Sequence, residues 1–355
     1  MSILDLARPE LLSLTPYSSA RMEAGAAAVM LNANESPWPP PGDDGRALNR
    51  YPDPQPQQLI ERLAKIYGVS SKQVLVGRGS DEAIDLLVRG FCRSGRDAVA
   101  MCPPTFGMYA ACAGIQDAQV LSIALTSDFV VDVDAVLNTV TATTKLLFLC
   151  SPNNPTGDVL RLADIERLAS MLAGRCLVIV DEAYIEFSDV VSASTVLAAY
   201  ENLGVLRTLS KAWALAGARI GVLLAHPDIV QFLRRIMPPY PLPTPCIVAA
   251  LAALDDEGQE QMRRRVVITR SERARVSEAL SQVTGVRRVL RSQANFLAVQ
   301  FDDSARVYRQ LLVAGMVVRN LSAYPGLDGF LRISIGTPQE NSQLLDVLGA
   351  RAEAT

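Results

Sequence analysis

Lysine is nearly missing from this chain. Only Lys65, Lys72, Lys145 and Lys211 occur among 34 basic residues, and the other thirty are arginine. A chain that draws its plain positive charge from arginine leaves each lysine to be judged by what arginine lacks, an amine that can lose its proton and condense with a carbonyl. Histidine is scarcer still: His226, in the loop-like AHPD, is the only one, which argues against a metal site and reads most simply as a surface residue near a helix start at Asp228. The six cysteines form no C-x-x-C pair and most sit in apolar runs, where they behave as small hydrophobes. That usage fits a reduced, cytoplasmic setting. No run of eighteen apolar residues is present, so no transmembrane helix is expected, and MSILDLARPELL lacks a basic-then-apolar signal pattern. A net charge of −3 argues against nucleic acid or an anionic membrane as the main partner. Internal repeats and low-complexity segments are also missing.

What is present is 355 residues of 49% hydrophobic composition, enough for a large core and two domains. Residues 1–40 read as an arm: LTPYSSARMEAG is polar and turn-rich, and VMLNANESPWPPPG ends in prolines that no regular element accommodates. RYPDPQP continues the irregular stretch, and Gln57 to Tyr67 reads as an amphipathic helix. From Gln73 onward, apolar strands (QVLVG, DAVAMC, AQVLSI, KLLFLC, CLVIVDEAY) alternate with helical stretches such as SDEAIDLLVRGF, FGMYAACAG and ADIERLASMLAG. Near-continuous apolar strands between helices predict an α/β domain, 41–240, on a mainly parallel sheet covered by helices, with ligand loops at the strands' carboxyl ends. Five prolines in MPPYPLPTP, 237–245, mark a domain boundary or a hinge about which the following domain could close over substrate. That domain, 241–355, reads as a smaller α+β unit. It has an arginine-rich helical stretch over Cys246 to Gln282, strands at Val286–Leu290, Asn295–Val299, Met316–Val318 and Phe330–Ile335, and helices from Ser304 and about Gln339.

Five segments fall at strand ends. GRGSDEAID opens a helix with small residues, and helix-start amides with the dipole make a site for an anion, although Ser80 or Asp81 serves equally as a helix cap. PPTFGMY puts Phe106 just after a strand, to stack on a flat ligand or to join the core. SPNNPTG packs two amides, two prolines and a glycine into seven residues, a fixed turn from which Asn154 can present a donor. Asp181 ends an apolar strand, where a carboxylate needs a partner, and Tyr184 follows it. Lys211, in TLSKAWALAGARIG, follows a strand-like run, with Ser210 before it and Arg219 eight residues on, and reads as a reactive amine or as a cation at a helix start. Together these parts describe one ligand: flat and aromatic, with a carbonyl for the lysine, a ring nitrogen for the carboxylate, an oxygen for the donors and a phosphate for the arginine and the amides. Pyridoxal 5′-phosphate (PLP) has all of these.

SPNNPTG, DEAY and SKAWALAGARIG are similar to the signature segments of the class I/II aminotransferases of fold type I. The likeness extends in order through LTPYSSAR, LNANESP, RYPDPQP, CPPTFGMY, DEAYIEF, LRTLSKAWALAG and LRISIGT, and within that group the chain resembles the histidinol-phosphate aminotransferases of histidine biosynthesis. The resemblance implies that Lys211 is the Schiff-base lysine and proton carrier. It implies that Asp181 pairs with the pyridinium nitrogen, and that Asn154 and Tyr184 hydrogen-bond the phenolic oxygen. Ser210 and Arg219, with the amides and side chains of Ser80 and Asp81, would bind the cofactor phosphate. Phe106 would stack on the ring, without the hydroxyl that relatives often carry there. Tyr51 would reach the cofactor phosphate of the other subunit in a homodimer. Arg332 would bind the carboxylate of the amino-acid substrate or the phosphate of histidinol phosphate. Arg319 and Tyr17 would help with that phosphate, and Asn154 would also meet substrate. The implied reaction is a ping-pong exchange of an amino group between L-histidinol phosphate and 2-oxoglutarate. An aromatic or broad-range aminotransferase, or a threonine-phosphate decarboxylase, would use the same cofactor residues. A PLP-binding regulator would need a DNA-binding segment ahead of the domain, and no basic helix-turn-helix pattern precedes Gln73.

Overall fold

The structure is a computed structural model, and it describes residues 2–15 and 29–349. The alternating region folds around one seven-stranded sheet: β1 (Val74–Gly77), β2 (Ala98–Met101), β3 (Gln119–Ser122), β4 (Thr144–Cys150), β5 (Leu177–Asp181), β6 (Leu203–Thr208) and β7 (Gly221–Ala225), in spatial order β1-β7-β6-β5-β4-β2-β3. Strands β3, β2, β4, β5 and β6 pair in parallel, whereas β7 runs antiparallel to both β6 and β1. The central strands read as continuous apolar runs because both faces are covered. Leu147, Leu149, Val178, Val180 and Val205 enter the core on one face, and Leu146, Phe148, Leu177, Ile179 and Leu206 the core on the other. That is the period-two alternation of pleated strands.

Helices α1 (Pro9–Leu12), α2 (Gln57–Tyr67), α3 (Ser80–Phe91), α4 (Met108–Ile115), α5 (Val133–Thr139), α6 (Leu162–Met171) and α7 (Pro227–Ile236) accompany this sheet. In α2, Leu59, Ile60, Leu63, Ala64 and Tyr67 form the buried stripe, and Gly68 ends the helix in the left-handed conformation, donating its N–H to the Ala64 carbonyl. Helix α5 escaped the sequence reading because only Val136 of its seven residues is buried, which leaves no stripe to detect. His226 caps α7, its Nδ1 accepting from the Asp228 N–H at 3.3 Å.

The arginine-rich stretch after the prolines is two helices, α8 (Thr244–Ala253) and α9 (Asp256–Ser281), rather than one. The break is chemical: the Asp255 carboxylate accepts from the Gly258 N–H at 2.8 Å and starts a new helix. Leu242, Ala250, Leu254 and Val266 still pack into the core of the large sheet. Val276 and Leu280, further along α9, belong to the second core. That core lies against a four-stranded antiparallel sheet, β8 (Val286–Val289), β9 (Phe296–Phe301), β10 (Arg319–Asn320) and β11 (Phe330–Ser334), in order β10-β11-β9-β8, with α10 (Ser304–Val313) and α11 (Pro338–Val347). Met316–Val318, expected as a strand, precedes the two-residue β10 instead.

Polar contacts tie the smaller sheet to the larger layer. The Gln293 N–H donates to the Gly157 carbonyl at 2.8 Å, and Gln293 Oε1 accepts from Ser188 Oγ at 2.7 Å and the Asp189 N–H at 2.8 Å. Arg273 donates to the carbonyls of Phe187 and Ala294 at 3.0 and 2.8 Å. These contacts hold the smaller sheet beside the loops that follow β4 and β5. Among the described residues, no helix is long and apolar enough to cross a membrane.

Candidate active site

The parallel strands β4, β5 and β6 deliver three loops to the same edge of the sheet. The loop after β6 carries Lys211 and returns directly into the antiparallel β7, so Lys211 sits in a connection between two strands and not at a helix start. The loop is tightly held. The Leu209 N–H donates to the Ile220 carbonyl at 3.0 Å, the Ser210 N–H donates to Thr208 Oγ1 at 3.1 Å, and Thr208 and Ser210 share a 3.0 Å hydroxyl contact. Lys211 Nζ lies 5.5 Å from the centroid of the Tyr184 ring. Desolvation lowers its pKa first, the Arg332 guanidinium next; Asp81 and Asp181 pull the other way and Arg219 adds to the lowering. The amine is therefore more readily neutral, the form in which lysine is a nucleophile and a base.

Asp181, at the last position of the fully buried β5, is 2% exposed. Its Oδ2 accepts from the Tyr109 hydroxyl at 2.8 Å and its Oδ1 from the Ala183 N–H at 3.1 Å. Burial pushes the carboxyl up to about 6, against the pull of those hydrogen bonds and of Lys211. A carboxylate kept in so dry a place is suited to a cationic partner that arrives from outside the protein.

The SPNNPTG turn divides its two asparagines. Asn153 is a brace: its Nδ2 donates to the Pro104 carbonyl at 2.9 Å and to Thr156 Oγ1 at 2.8 Å, and its Oδ1 accepts from Thr105 at 2.9 Å. Asn154 is thereby presented to the pocket, with Nδ2 3.4 Å from the Tyr184 hydroxyl and Oδ1 accepting from Arg332. Arg332 also lies 5.3 Å over the Phe296 ring, which meets Tyr184 edge-on at 5.2 Å. Register pairs Arg319 with Arg332 across β10 and β11, so both side chains leave the same face of that sheet.

The anion side of the pocket is built at the N-terminus of α3. Gly79 has φ +82°, and a Cβ there would lie 2.7 Å from Arg219 Nη2. Opposite it, a Cβ on Gly221 would lie 2.0 Å from the Gly79 carbonyl carbon and 2.1 Å from the Ser80 nitrogen. Only glycine at both positions lets the end of β7 and the turn before α3 approach this closely. Arg219, itself left-handed at φ +54°, donates to the Asp81 carboxylate at 3.2 Å. The Asp81 side chain thus orients the guanidinium, and what α3 offers an anion is its free N–H groups.

One pocket therefore gathers Ser80, Asp81, Phe106, Asn154, Asp181, Tyr184, Ser210, Lys211 and Arg219. Phe106 meets Tyr109 edge-on at 5.6 Å. Tyr51 lies elsewhere, 47% exposed and stacked on Tyr240 at 4.5 Å, its N–H donated to Glu35 at 2.7 Å. Tyr17 lies outside the described residues.

Sequence reasoning passed over two groups. Tyr109 stands three residues after Phe106 within the same segment, and its link to a carboxylate on another strand left no mark in the spacing. Arg207 is buried between Glu182 and Glu186, with Nη1 to Glu182 at 3.3 Å and Nη2 to Glu186 at 2.7 Å, and lies 4.5 Å over the Tyr67 ring. This cluster braces the loop after β5 against the end of β6. The charged residues of DEAYIEF and LRTLSK were its available signal. Among the described residues no group of histidine, cysteine or acidic side chains is disposed to hold a metal ion.

Comparison with known proteins agrees with this chemistry. The aminotransferase class I and II family matches residues 21–348. A histidinol-phosphate aminotransferase of Xanthomonas euvesicatoria is 51% identical over 357 residues, covering 99% of this chain and 98% of its own. The solved histidinol-phosphate aminotransferase of Sinorhizobium meliloti in complex with pyridoxal-5′-phosphate superposes with a TM-score of 0.77 at 25% identity, covering 85% of this chain and 84% of that one. The histidinol-phosphate aminotransferase of Clostridium acetobutylicum, at 22% identity and a TM-score of 0.78 over 85% of this chain and 90% of its own, shares the fold.

Proposed function

The chain belongs to the class I and II aminotransferases, and from that footing we propose that it interconverts L-histidinol phosphate and 2-oxoglutarate with imidazole-acetol phosphate and L-glutamate, in histidine biosynthesis. It is a PLP enzyme of fold type I. The single pocket lined by the lysine, the buried carboxylate and the glycine-walled anion cradle supports the cofactor chemistry, and the observation that carries the substrate is the 51% identity to a histidinol-phosphate aminotransferase over nearly the whole chain.

The residues present fit that cofactor. Asp181 would hold a protonated ring nitrogen, Asn154 and Tyr184 the ring oxygen, and Phe106 the ring face. Arg219, Ser210 and the N–H groups of Ser80 and Asp81 would hold the phosphate, with the Asp81 carboxylate steering Arg219. When bound, PLP supplies the carbonyl that carries the amino group and the electron sink that makes the substrate's α-hydrogen acidic. Lys211 Nζ, tilted toward its neutral form, would take the proton from the substrate's α-carbon and hand it on to the cofactor carbon that bears the transferred nitrogen. Tyr184, whose pKa burial raises, keeps its hydroxyl protonated as a donor. Arg332 and Arg319, side by side on one sheet face, would take the substrate's carboxylate or phosphate, for which the guanidinium fork is suited.

The same reading makes the enzyme a cytoplasmic homodimer, in which the exposed Tyr51 reaches the neighbouring cofactor phosphate. The unpaired cysteines agree with a reduced compartment. An arm (1–40) and a large part (41–240) would carry the cofactor residues, and a smaller part (241–355) the substrate arginines. Purified protein mixed with histidinol phosphate and 2-oxoglutarate is expected to form glutamate with ping-pong kinetics. Turnover of another amine and none of histidinol phosphate would reject the substrate assignment.

A further inference from the structure

We propose that Tyr109 is a positioning residue for this reaction: its hydroxyl, donated to Asp181, fixes that carboxylate as the anion that a cationic ring nitrogen requires. The proposal rests on the aminotransferase reading and adds to it a residue that never touches substrate.

Tyr109 lies in the first turn of α4 and is wholly buried. Its ring stacks on Phe148 at 4.7 Å with planes 2° apart, and Phe106 meets it edge-on at 5.6 Å. Wedged between two rings, the phenol has one place to put its hydroxyl, 2.8 Å from Asp181 Oδ2. With the Ala183 N–H on Oδ1, both carboxylate oxygens are held, and the carboxylate cannot rotate about its own axis without losing a bond. Among the described residues, Tyr109 is the only side chain that donates to Asp181.

The other groups facing Asp181 do not replace it. Asp81, from α3, opposes a second negative charge, and Lys211, from the loop after β6, favours it more weakly than the hydroxyl does. Cys150, the β4 residue in register with Asp181, and Tyr184 in the loop beyond are both pushed by burial toward their neutral forms. Burial also pushes Tyr109 itself well above the ordinary tyrosine range, so its proton stays on the oxygen and the hydroxyl is the donor. A phenylalanine would keep both ring contacts and remove that one bond.

The test uses apoprotein, with Trp213 fluorescence, two residues from Lys211, reporting ligand binding. Two ligands are titrated across pH: PLP, and its deaza analogue with C–H in place of the ring nitrogen. Wild-type affinity for PLP is expected to fall as pH drops through about 6. In Tyr109→Phe the midpoint should move up by about one pH unit, and Kd for PLP at neutral pH should rise about tenfold. Affinity for the analogue should be unchanged. Phe148→Leu, which removes the stacking plate and keeps the hydroxyl, should move the midpoint the same way by less. Equal weakening of both ligands in Tyr109→Phe, or an unmoved midpoint in both variants, overturns the proposal. A wild-type apoprotein that binds neither ligand sinks the cofactor reading instead.

Discussion

Replacing Asp181 with asparagine should make the ligand-free protein more stable while removing its hold on the cofactor. In the folded apoprotein the carboxyl is raised from 3.8 to about 6, chiefly by burial. At about 1.36 kcal/mol per pKa unit, keeping it ionised at neutral pH costs about 3 kcal/mol. The sign follows from proton counts. The folded pKa exceeds the unfolded one, so between about pH 4 and 6 the folded chain binds a proton that the unfolded chain has released. Stability therefore falls as pH rises through that window and stays lower above it. Asparagine has no such penalty. Its Oδ1 can still accept from Ala183, but its Nδ2 faces a Tyr109 hydroxyl that now has to accept instead of donate, a loss of about 1 kcal/mol. The expected net gain is about 2 kcal/mol at pH 7.5, shrinking toward pH 4. Urea unfolding of both apoproteins at the two pH values reads this directly. Adding cofactor at a hundred times Kd should stabilise wild type by about 2.7 kcal/mol and the variant far less. A variant less stable than wild type at pH 7.5, by an amount independent of pH, would refute the argument that this carboxylate is held at a cost for an incoming cation.

Three further outcomes follow from the same geometry. Gly221→Ala drives a methyl to 2.0 Å from the Gly79 backbone, so the cradle must open by over 1 Å; a stability loss of about 1–3 kcal/mol and a fall in cofactor affinity of about 100-fold are expected by unfolding and by titration. Arg207→Met strands Glu182 and Glu186 without their cation and should cost about 3–5 kcal/mol, whereas adding Glu182→Gln and Glu186→Gln should restore much of it; a loss under about 1 kcal/mol would show that the cluster is no brace. Arg332→Lys keeps the charge and loses the fork, so KM for the anionic substrate should rise about 10- to 100-fold while the cofactor still binds.

Much of this site was legible because its residues end apolar strands. Asp181 and Lys211 stand out wherever a charge closes a run such as VIVD or follows VLRTLS, and the turn chemistry of SPNNPTG announced Asn154. Strand direction was not legible. A buried strand reads the same whichever way it runs, so the antiparallel β7, which lets Lys211 and Arg219 share one loop, emerged only in three dimensions. The split of the arginine-rich stretch at Asp255 was missed because a polar helix with few buried residues has no stripe to interrupt. Tyr109 and Arg207 were missed for a further reason. Each derives its meaning from a partner on another strand, Asp181 for one and Glu182 with Glu186 for the other, and a linear pattern does not encode such pairings.

The scarcity of lysine allows a direct test of Lys211 as the amine that holds the cofactor. Holoprotein is reduced with borohydride, which fixes the cofactor wherever an amine holds it, then digested with trypsin and sequenced by mass spectrometry. The chain offers four side-chain candidates, Lys65, Lys72, Lys145 and Lys211. The modification is expected on Lys211 alone, in the peptide that begins after Arg207, and is lost in Lys211→Ala. Cofactor fixed to any other lysine, or to none, would contradict that assignment.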